Sequence, residues 1–314
     1  MRAIAVSEFG ATPSIMDVGW PEPGPGEVLI KLVAAGMNPF DWKFAAGDFG
    51  DMIPAGFPLI LGQDGAGVVE SVGDGVERFR PGDQVYGSFF GAARGLGSYC
   101  EFTLSPQDGQ IAMMPQKLVY SQAAAVPMAS MTAFNLVDEA GVDEGKTVLV
   151  VGATGGVGQQ AVQFAALKGA HVIATAGPDM ADRMGEFGAD ETLDYHEVDV
   201  ADAVLEEHPD GVDVLLDMVN DKRKVDLLSE SVKKGGVVAS TIGAADVEGL
   251  KKRGIKGINF QNRASGELLT TISEMIDTGR LTVHLTREVD LTDVPDVIAD
   301  AKRGGARGKT VIRV

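Results

Sequence analysis

The first third of the chain predicts a β-rich unit. Short apolar runs cover residues 2–6, 28–34 and 67–72. Clusters of proline and glycine separate them, as in PEPGPGE at 21–27 and RPGD at 80–83. Apolar runs of this length between frequent turn signals are typical of strands. The pattern therefore predicts a compact, strongly bent all-β unit at the start of the chain.

The pattern changes near residue 120. A helix is predicted over 121–141, because its apolar positions recur at helical spacing and few of its residues are β-branched. Four β-branched runs follow, at 147–153, 171–176, 211–219 and 235–241. Runs without polar alternation are typical of strands buried on both faces. Helical segments such as 157–170 lie between them, and this alternation predicts βαβ units around a parallel sheet.

The end of the chain adds a predicted helix over 265–279 and a predicted strand over 308–314. We therefore predict an α/β chain of two domains. A β-rich domain covers 1–120 and is completed by the tail 262–314. A doubly wound parallel-sheet domain of the dinucleotide-binding type covers 121–261.

Composition then narrows the classes of function. Lys and Arg number 27 against 45 Asp and Glu, a formal net charge of −18. Such a surface repels nucleic acids and anionic membranes, so neither is expected as a partner. The N-terminus lacks the apolar core of a secretory signal and no stretch is apolar enough for a membrane span, so we expect a cytoplasmic location. The one cysteine, Cys100, allows no internal disulfide and is expected to be a buried, inert thiol.

The sharpest motif is a glycine-rich turn, VLVVGATGGVGQQAV. It follows a predicted strand and opens a predicted helix, which is the context of a dinucleotide-binding loop. Glycines permit the tight turn and the close approach of a pyrophosphate, and the N–H groups at the helix start attract its charge. The alternative is a tight turn without a ligand. The predicted cofactor residues here are Gly152, Thr154, Gly155, Gly156, Val157 and Gly158.

The choice of dinucleotide depends on the end of the next strand. Sites that prefer NAD place an acidic residue there to bind the ribose diol. Here the sequence reads TAGP at 175–178, and the first acid, Asp179, comes later. The missing carboxylate favours NADPH over NADH. Basic candidates for the 2′-phosphate are Arg183, Arg307 and Lys309, although a solvated helix face explains Arg183 equally well.

Seven segments occur in the order found in one known family. They are AAGMNPFDWK (34–43), LGQDGAGVVESVGDGV (61–76), RPGDQVYG (80–87), MTAF (131–134), GATGGVG (152–158), FGADETLDY (187–195) and ARGKTVIRV (306–314). Together they resemble the zinc-free quinone oxidoreductase (zeta-crystallin-like) branch of the medium-chain dehydrogenase/reductase superfamily. The resemblance spans nearly the whole chain. It implies a GroES-like catalytic domain and a Rossmann domain, with the cofactor in the cleft between them.

The resemblance also indicates whether a catalytic zinc ion is expected. In zinc alcohol dehydrogenases of the superfamily, the catalytic ion uses a Cys at the position of Asn38 and a His at that of Gln63, with a third ligand near Ser130 and Met131. Amides are poor zinc ligands compared with thiolate and imidazole. The lobe that carries four structural cysteines has no counterpart here. The resemblance therefore implies an enzyme without zinc.

Individual roles follow from the same resemblance. Asn38 would face the nicotinamide side of the cleft, and Thr132 would contact the nicotinamide ribose. Tyr195 would lie near the adenosine phosphate, and Gly243 and Phe260 near the nicotinamide end. The predicted cofactor residues also include Thr175 and Gly177 at the end of the second strand, and Lys309 as a basic candidate for the 2′-phosphate. Family members often carry Ser at position 177 for the 2′-phosphate, and Gly177 departs from that pattern, which weakens the NADPH assignment.

Without a Lewis acid, catalysis would rest on positioning and the exclusion of water. Acceptors that are already activated suit such a site, so we expect hydride transfer to a quinone or an α,β-unsaturated carbonyl. Asp41 is a further catalytic candidate, with structural pairing as the alternative for Asp41 and Lys43. Phe40 and Trp42 would supply an apolar wall for a flat acceptor.

Other functions stay open at this point. An enoyl-thioester reductase is one alternative, and a protein that binds NADPH without turnover, such as a redox sensor, is another. The expected partner is a small-molecule substrate, and the resemblance implies a homodimer. The histidines show no metal-ligand spacing along the chain, so we expect structural or solvent-facing roles for His171, His196, His208 and His284.

Overall fold

The computed structural model describes residues 1–305 and 308–314. The strands of this part of the chain are β1 (Arg2–Val6), β2 (Ser14–Asp17), β3 (Glu27–Gly36), β4 (Leu59–Ile60), β5 (Asp64–Val72), β6 (Gln84–Ser88), β7 (Phe102–Pro106), β8 (Ile111–Met113), β9 (Thr147–Val151), β10 (His171–Thr175), β11 (Glu191–Leu193), β12 (Val212–Asp217), β13 (Val232–Ser240), β14 (Lys256–Asn259), β15 (Arg287–Asp290) and β16 (Thr310–Arg313). The α-helices are α1 (Pro39–Ala46), α2 (Tyr120–Ala124), α3 (Pro127–Glu139), α4 (Gly156–Leu167), α5 (Pro178–Glu186), α6 (Val200–Glu207), α7 (Lys222–Leu228), α8 (Val247–Lys252), α9 (Gly266–Asp277) and α10 (Val294–Asp300). None of these helices combines the length and the hydropathy needed to cross a lipid bilayer.

The chain forms two compact units. The first unit comprises Met1–Met128 and Ala264–Val314, and the second comprises Ala129–Arg263. The first contains a seven-stranded sheet and a three-stranded sheet, and the second a six-stranded sheet. The expected fold class, a β-rich domain and a doubly wound parallel-sheet domain, is confirmed.

The larger sheet of the first unit has the order β15-β16-β3-β5-β6-β8, with β7 also paired to β3. Its register places Gly36 opposite both Asp64 and Val311. Three segments therefore meet at one end of these strands: the residues after β3, the first residues of β5 and the residues before β16. Gly36 is required there, because an added Cβ would lie 2.1 Å from the carbonyl oxygen of Ala124.

The second unit is a parallel sheet in the order β11-β10-β9-β12-β13-β14. Its central strands are buried on both faces, with Leu149 and Leu215 at 0% exposure. The order reverses between β9 and β12, the first and fourth strands of this sheet. In open α/β sheets, ligands bind beyond the carboxyl ends of the strands at such a reversal. The glycine-rich turn lies at this point.

Two sequence-based element boundaries were wrong. The single helix expected over 121–141 is two helices, α2 and α3. Pro127 begins the second one, because proline cannot donate to the preceding turn and disfavours a helical residue before it. The strand expected over 147–153 ends at Val151, because Gly152 turns the chain with a φ of +81°.

Candidate functional site

The glycine-rich turn joins β9 to α4 in very little space. Gly152 has a φ of +81°, a conformation that side chains with a Cβ rarely adopt. At Gly158, an added Cβ would lie 2.1 Å from the carbonyl oxygen of Gly152 and 2.6 Å from the Cα of Ala153. These two glycines therefore let α4 pack directly against the end of β9.

The start of α4 offers backbone donors. Gly155 is the N-cap residue, with φ −74° and ψ 170°, and no side chain caps the helix. The first N–H groups of a helix have no partner within it, and the helix dipole adds positive charge there. A Cβ built on Gly155 would meet only the oxygen of Gly152, at 3.3 Å, so the outer side of the turn is open among the described residues. An open turn with free N–H donors fits a pyrophosphate.

Two side chains brace this turn. The hydroxyl of Thr175, at the end of β10, accepts from the N–H of Gly152 at 3.1 Å and donates to the oxygen of Val150 at 3.4 Å. The Nε2 of Gln159 donates to the oxygen of Thr154 at 2.8 Å. Thr175 was expected as a cofactor contact, but these two hydrogen bonds of its hydroxyl fix the backbone of the turn. It is a positioning residue for the glycines.

The region after β10 contains both favourable and unfavourable features for a 2′-phosphate. Gly177 is the N-cap of α5, and Asp179 lies in its first turn. A Cβ on Gly177 would lie 3.0 Å from Oδ1 of Asp179, so a carboxylate is next to this position. Arg183 pairs with Glu186 at 2.5 Å on an exposed helix face, as the alternative interpretation expected. Arg307 lies outside the described residues.

Further predicted contacts follow the carboxyl ends of strands in the same parallel sheet. Tyr195 follows β11, is 51% exposed, and its ring centroid lies 4.2 Å from that of His196. Gly243 follows β13 with a φ of +78°, and no described residue comes within 4 Å of an added Cβ. Phe260 follows β14, is buried, and its N–H donates to the oxygen of Ser240 at 2.9 Å. The sheet thus brings these residues to the same edge as Gly152, while their contacts with a cofactor stay predictions.

Asp217, at the end of β12, is a residue that the sequence analysis missed. Its Oδ1 accepts from the N–H groups of Val219 and Asn220 at 3.1 and 2.9 Å, and its Oδ2 accepts from the amide of Asn220 at 2.6 Å. Burial raises the pKa of this carboxyl, an effect that these hydrogen bonds oppose. An acid at the end of a run that is apolar apart from Asp213, GVDVLLD, was the available signal. Asp217 thus holds the turn that follows β12, on the opposite side of the strand reversal from the glycine-rich turn.

A second polar cluster lies within the first unit. The ammonium of Lys309 donates to Oδ1 of Asn38 at 2.8 Å and to the oxygen of Met37 at 3.1 Å, and lies 3.4 Å from Oδ2 of Asp64. The amide of Asn38 donates to the same oxygen of Asp64 at 2.9 Å. The N–H of Met128 donates to Oδ1 of Asp64 at 3.1 Å. We call Asn38, Asp64 and Lys309 the buried triad.

The buried triad changes the interpretation of Lys309. Lys309 was expected to contact the cofactor, but its ammonium has three acceptors inside the first unit, and the residue is 5% exposed. Asp64, at 0% exposure, was not singled out from the sequence, although a lone acid at the start of an apolar strand was a signal. Burial raises the pKa of Asp64, and the charge of Lys309 opposes that shift.

Asp41 lies close to the buried triad and makes structural contacts. Its Oδ2 accepts from the backbone N–H of Asn38 at 2.7 Å and from the hydroxyl of Tyr99 at 2.5 Å. Its Oδ1 is buried and has no hydrogen-bond partner in the part of the chain that the structure describes. Burial raises the pKa of this carboxyl to about 7, and the Tyr99 hydrogen bond opposes the shift. Asp41 thus closes the start of α1, as the structural alternative expected, and its role in catalysis stays a prediction, as does that of the half-buried Thr132 on α3.

Aromatic rings cluster on α1 and nearby loops. Phe40 stacks on Phe44 with centroids 5.5 Å apart and on Phe49 at 5.1 Å, and meets Phe90 edge-on at 5.4 Å. Phe90 is 38% exposed, so the cluster reaches solvent. We call these four residues the aromatic wall. Trp42 packs on the same core partly buried, and the contact of Phe40 and Trp42 with an acceptor stays a prediction.

The side chains at the expected metal positions of the first unit do not fit a zinc ion. The amide of Asn38 is engaged at both ends, and an ammonium lies 2.8 Å from its oxygen, where a second cation would be repelled. Gln63 offers only an amide. Cys100 is buried, its thiol donates to the oxygen of Phe102 at 3.1 Å, and burial raises its pKa to about 12. A thiol held in this way is inert, as expected.

Comparison with known proteins identifies the family. A family model described as an alcohol dehydrogenase GroES-like domain matches residues 24–129, and one described as a zinc-binding dehydrogenase matches residues 187–312. The 2-methylene-furan-3-one reductase of Solanum lycopersicum is 30% identical over 323 residues, which covers 99% of this chain and 79% of that protein. The chain belongs to the medium-chain dehydrogenase/reductase superfamily.

Solved structures agree with this assignment. The quinone oxidoreductase from Coxiella burnetii matches with a TM-score of 0.87 at 28% identity and covers 100% of this chain and 99% of that one. An NAD-dependent alcohol dehydrogenase matches with a TM-score of 0.87 at 30% identity, with 100% of both chains covered. The GroES-like domain and the Rossmann domain expected from the resemblance are confirmed. This member of the medium-chain dehydrogenase/reductase superfamily is an NAD(P)H-dependent oxidoreductase.

Proposed function

We propose that this chain is an NADPH-dependent, zinc-independent reductase that transfers a hydride to a quinone or an α,β-unsaturated carbonyl. The observation that supports the proposal is the open glycine turn at the uncapped start of α4, whose geometry suits the pyrophosphate of a dinucleotide. When bound, the reduced dinucleotide supplies a hydride from C4 of its nicotinamide ring. The residues of the chain bind the dinucleotide and the acceptor.

The turn binds and orients the dinucleotide. The N–H groups at the start of α4 receive the pyrophosphate, and the helix dipole stabilises its charge by about 1 kcal/mol. Thr175 holds Gly152 in place, so the donors do not have to reorganise on binding. NADPH is preferred in this proposal because no acidic residue occupies 175–177, the end of β10. The carboxylate of Asp179 opposes this preference, so NADH is the competing cofactor.

The aromatic wall favours a flat, conjugated acceptor. A planar ring gains about 1 kcal/mol from stacking on an aromatic side chain beyond the area it buries. Aromatic rings also exclude water from the face of an acceptor that stacks on them. Because the amide of Asn38 does not fit zinc and the ammonium beside it already donates to Asn38 and Met37, this position does not favour a simple ketone, which needs strong polarisation. Similarity to a furanone reductase and to a quinone oxidoreductase supports the same acceptor class.

The first experiment is a pair of fluorescence titrations of the purified protein with NADPH and with NADH. We expect tighter binding of NADPH by at least about tenfold, or ~1.4 kcal/mol. Preference for NADH would keep the dinucleotide site and refute the choice of cofactor. Binding of neither would refute the function of the glycine turn.

The second experiment measures acceptor-dependent oxidation of the bound cofactor. The acceptors are a quinone, an enone, a saturated ketone and an enoyl thioester. We expect the quinone or the enone to give kcat/KM at least about a hundredfold above the saturated ketone. A dominant rate with the thioester would favour the enoyl-thioester reductase. Binding without oxidation of any acceptor would favour a redox sensor or another non-catalytic protein.

Zinc independence has its own test. We expect incubation with EDTA, followed by removal of the chelate, to leave the rate of quinone reduction unchanged. Loss of activity that zinc restores would refute this part of the proposal. We also propose a cytoplasmic homodimer, which cell fractionation and sedimentation equilibrium would test.

A further inference from the structure

Two histidines and a glutamate of the second unit converge at the amino ends of β10 and β11. His171 begins β10, Glu191 begins β11, and His208 directly follows α6. Nε2 of His171 lies 2.5 Å from Oε1 of Glu191, and Nε2 of His208 lies 3.0 Å from the same oxygen. One ligand atom from each of the three residues lies within 4.8 Å of the others.

We propose that His171, Glu191 and His208 form a binding site for a divalent transition-metal ion, with Zn²⁺ as the expected occupant. Two imidazole nitrogens and one carboxylate oxygen are a common zinc ligand set, and a water molecule completes four-coordination. A neutral Nε2 that points its lone pair at a carboxylate oxygen is repelled, so each nitrogen needs a proton or a metal ion between it and that oxygen. Small rotations that widen the two short contacts make room for one ion bound to all three atoms.

A fourth side chain, the carboxylate of Asp190, lies beside the first ligand. Oδ2 of Asp190 lies 3.6 Å from Nδ1 of His171, and it also accepts from the N–H of Val172 at 2.8 Å. The carboxylate therefore faces one ring nitrogen of His171 while the other ring nitrogen faces Glu191. Metal-bound histidines usually donate a hydrogen bond from their second ring nitrogen to a carboxylate or carbonyl, and a modest shortening of the 3.6 Å separation would form one with Asp190. A mere surface ion pair does not require that arrangement.

The site is accessible to an ion from solution. The side chains of His171, Glu191 and His208 are 39%, 33% and 23% exposed. They lie at the amino ends of the strands, whereas the glycine turn lies at the carboxyl ends of the same parallel sheet. An ion here would clamp β10, β11 and the end of α6 together without contacting the dinucleotide. The proposed site is therefore independent of the proposed reductase function.

The test is isothermal titration of the metal-free, untagged full-length chain with Zn²⁺. We expect one ion per chain and a rise in Tm of about 5 °C at a free zinc concentration of ~100 times Kd. His208→Gln and Glu191→Gln should each weaken binding at least about tenfold. With Co²⁺ as a probe, the visible absorption bands of a four-coordinate ion should appear in the unchanged protein and vanish in both variants.

His196→Gln is the matched control, because His196 is an exposed histidine of the same unit outside the cluster. It should bind zinc like the unchanged protein. Circular dichroism of each variant in the absence of metal separates lost binding from lost folding. The proposal is wrong if His208→Gln folds and binds zinc as tightly as the control, or if the unchanged chain binds less than one ion. In either case the three side chains form only a hydrogen-bonded cluster.

Discussion

The ammonium of Lys309 lies 2.8 Å from the side-chain oxygen of Asn38, although 271 positions separate the two residues in the chain. The contact exists because β16 pairs with β3, which returns the tail to the first unit. Asp64 completes the arrangement at the start of β5. A fixed cation thus lies where zinc enzymes of the superfamily would have a metal ligand, and it depends on the last strand of the chain.

Lys309→Met is expected to destabilise the first unit by about 3 to 5 kcal/mol, because it leaves the carboxylate of Asp64 buried without its positive partner. Urea unfolding followed by circular dichroism measures the loss. Lys251→Met is the control, since Lys251 is exposed on α8 and its removal should cost less than about 0.5 kcal/mol. Combining Lys309→Met with Asp64→Asn should recover part of the stability. A loss of under about 1 kcal/mol in the single variant would show that the pair is not needed for folding.

The buried Asp41 predicts a specific pH dependence. Burial raises its pKa from 3.8 to about 7 in the folded chain, so between these values the folded state binds more protons than the unfolded state. The contribution of Asp41 to the free energy of unfolding therefore falls as the pH rises from about 4 to about 7. About 1.4 kcal/mol per pKa unit sets an upper value of about 4 kcal/mol.

Asp41→Asn removes this titration. The measurement is urea unfolding of both proteins at several pH values. As the pH rises from about 4 to about 7, the free energy of unfolding of the unchanged protein should fall relative to that of Asp41→Asn. Asp48→Asn is the control, because Asp48 is an exposed acid that lies just after the same helix, α1. A difference that stays constant from pH 4 to pH 8 would contradict the raised pKa.

Local patterns were enough to predict most of the second unit. Buried strands and tight turns restrict which residues are possible at each position. Local sequence therefore predicted the β-branched runs at 147–153 and 171–176 and the glycine turn between β9 and α4. The helix split at Pro127 was also present in the sequence. It was missed because helical spacing continues on both sides of the proline.

Contacts between distant segments could not be predicted in this way. No local pattern relates Lys309 to Asn38, since their contact depends on the pairing of β16 with β3. The same holds for His171 and Glu191, which are 20 positions apart and meet because β10 and β11 pair in parallel. Metal-ligand spacing along the chain detects sites on one helix or loop, and it does not detect ligands that strand pairing assembles.

Substitutions at two nearby glycines of the turn should affect different properties, cofactor binding in one case and stability in the other. Gly156→Asp should weaken NADPH binding at least about a hundredfold, or ~2.7 kcal/mol, because it places a carboxylate against the pyrophosphate. Stability should change little, since an acid in the first turn of a helix is favourable. Gly158→Ala should instead destabilise the fold by about 3 kcal/mol, because its Cβ would lie 2.1 Å from the oxygen of Gly152.

Fluorescence titration and thermal unfolding of both variants check these two outcomes. Gly185→Asp is the control for added charge, because a Cβ at this position in α5 has nothing within 4 Å. It should affect neither binding nor stability by more than about 0.5 kcal/mol. Unchanged NADPH affinity in Gly156→Asp would refute the dinucleotide site at this turn.

Asp179 is expected to set the choice between the two dinucleotides. Its carboxylate lies 3.0 Å from the Cβ position of Gly177, where the family resemblance puts the 2′-phosphate. Asp179→Asn removes the repulsion between two negative groups, so Kd for NADPH should fall about tenfold, or ~1.4 kcal/mol, while Kd for NADH changes by less than about threefold. Asp182→Asn, an exposed acid of the same helix, controls for the change in net charge. Paired titrations measure both constants. Equal shifts for NADPH and NADH would mean that Asp179 acts only through the start of α5, where an acid stabilises the helix, and that the 2′-phosphate lies elsewhere.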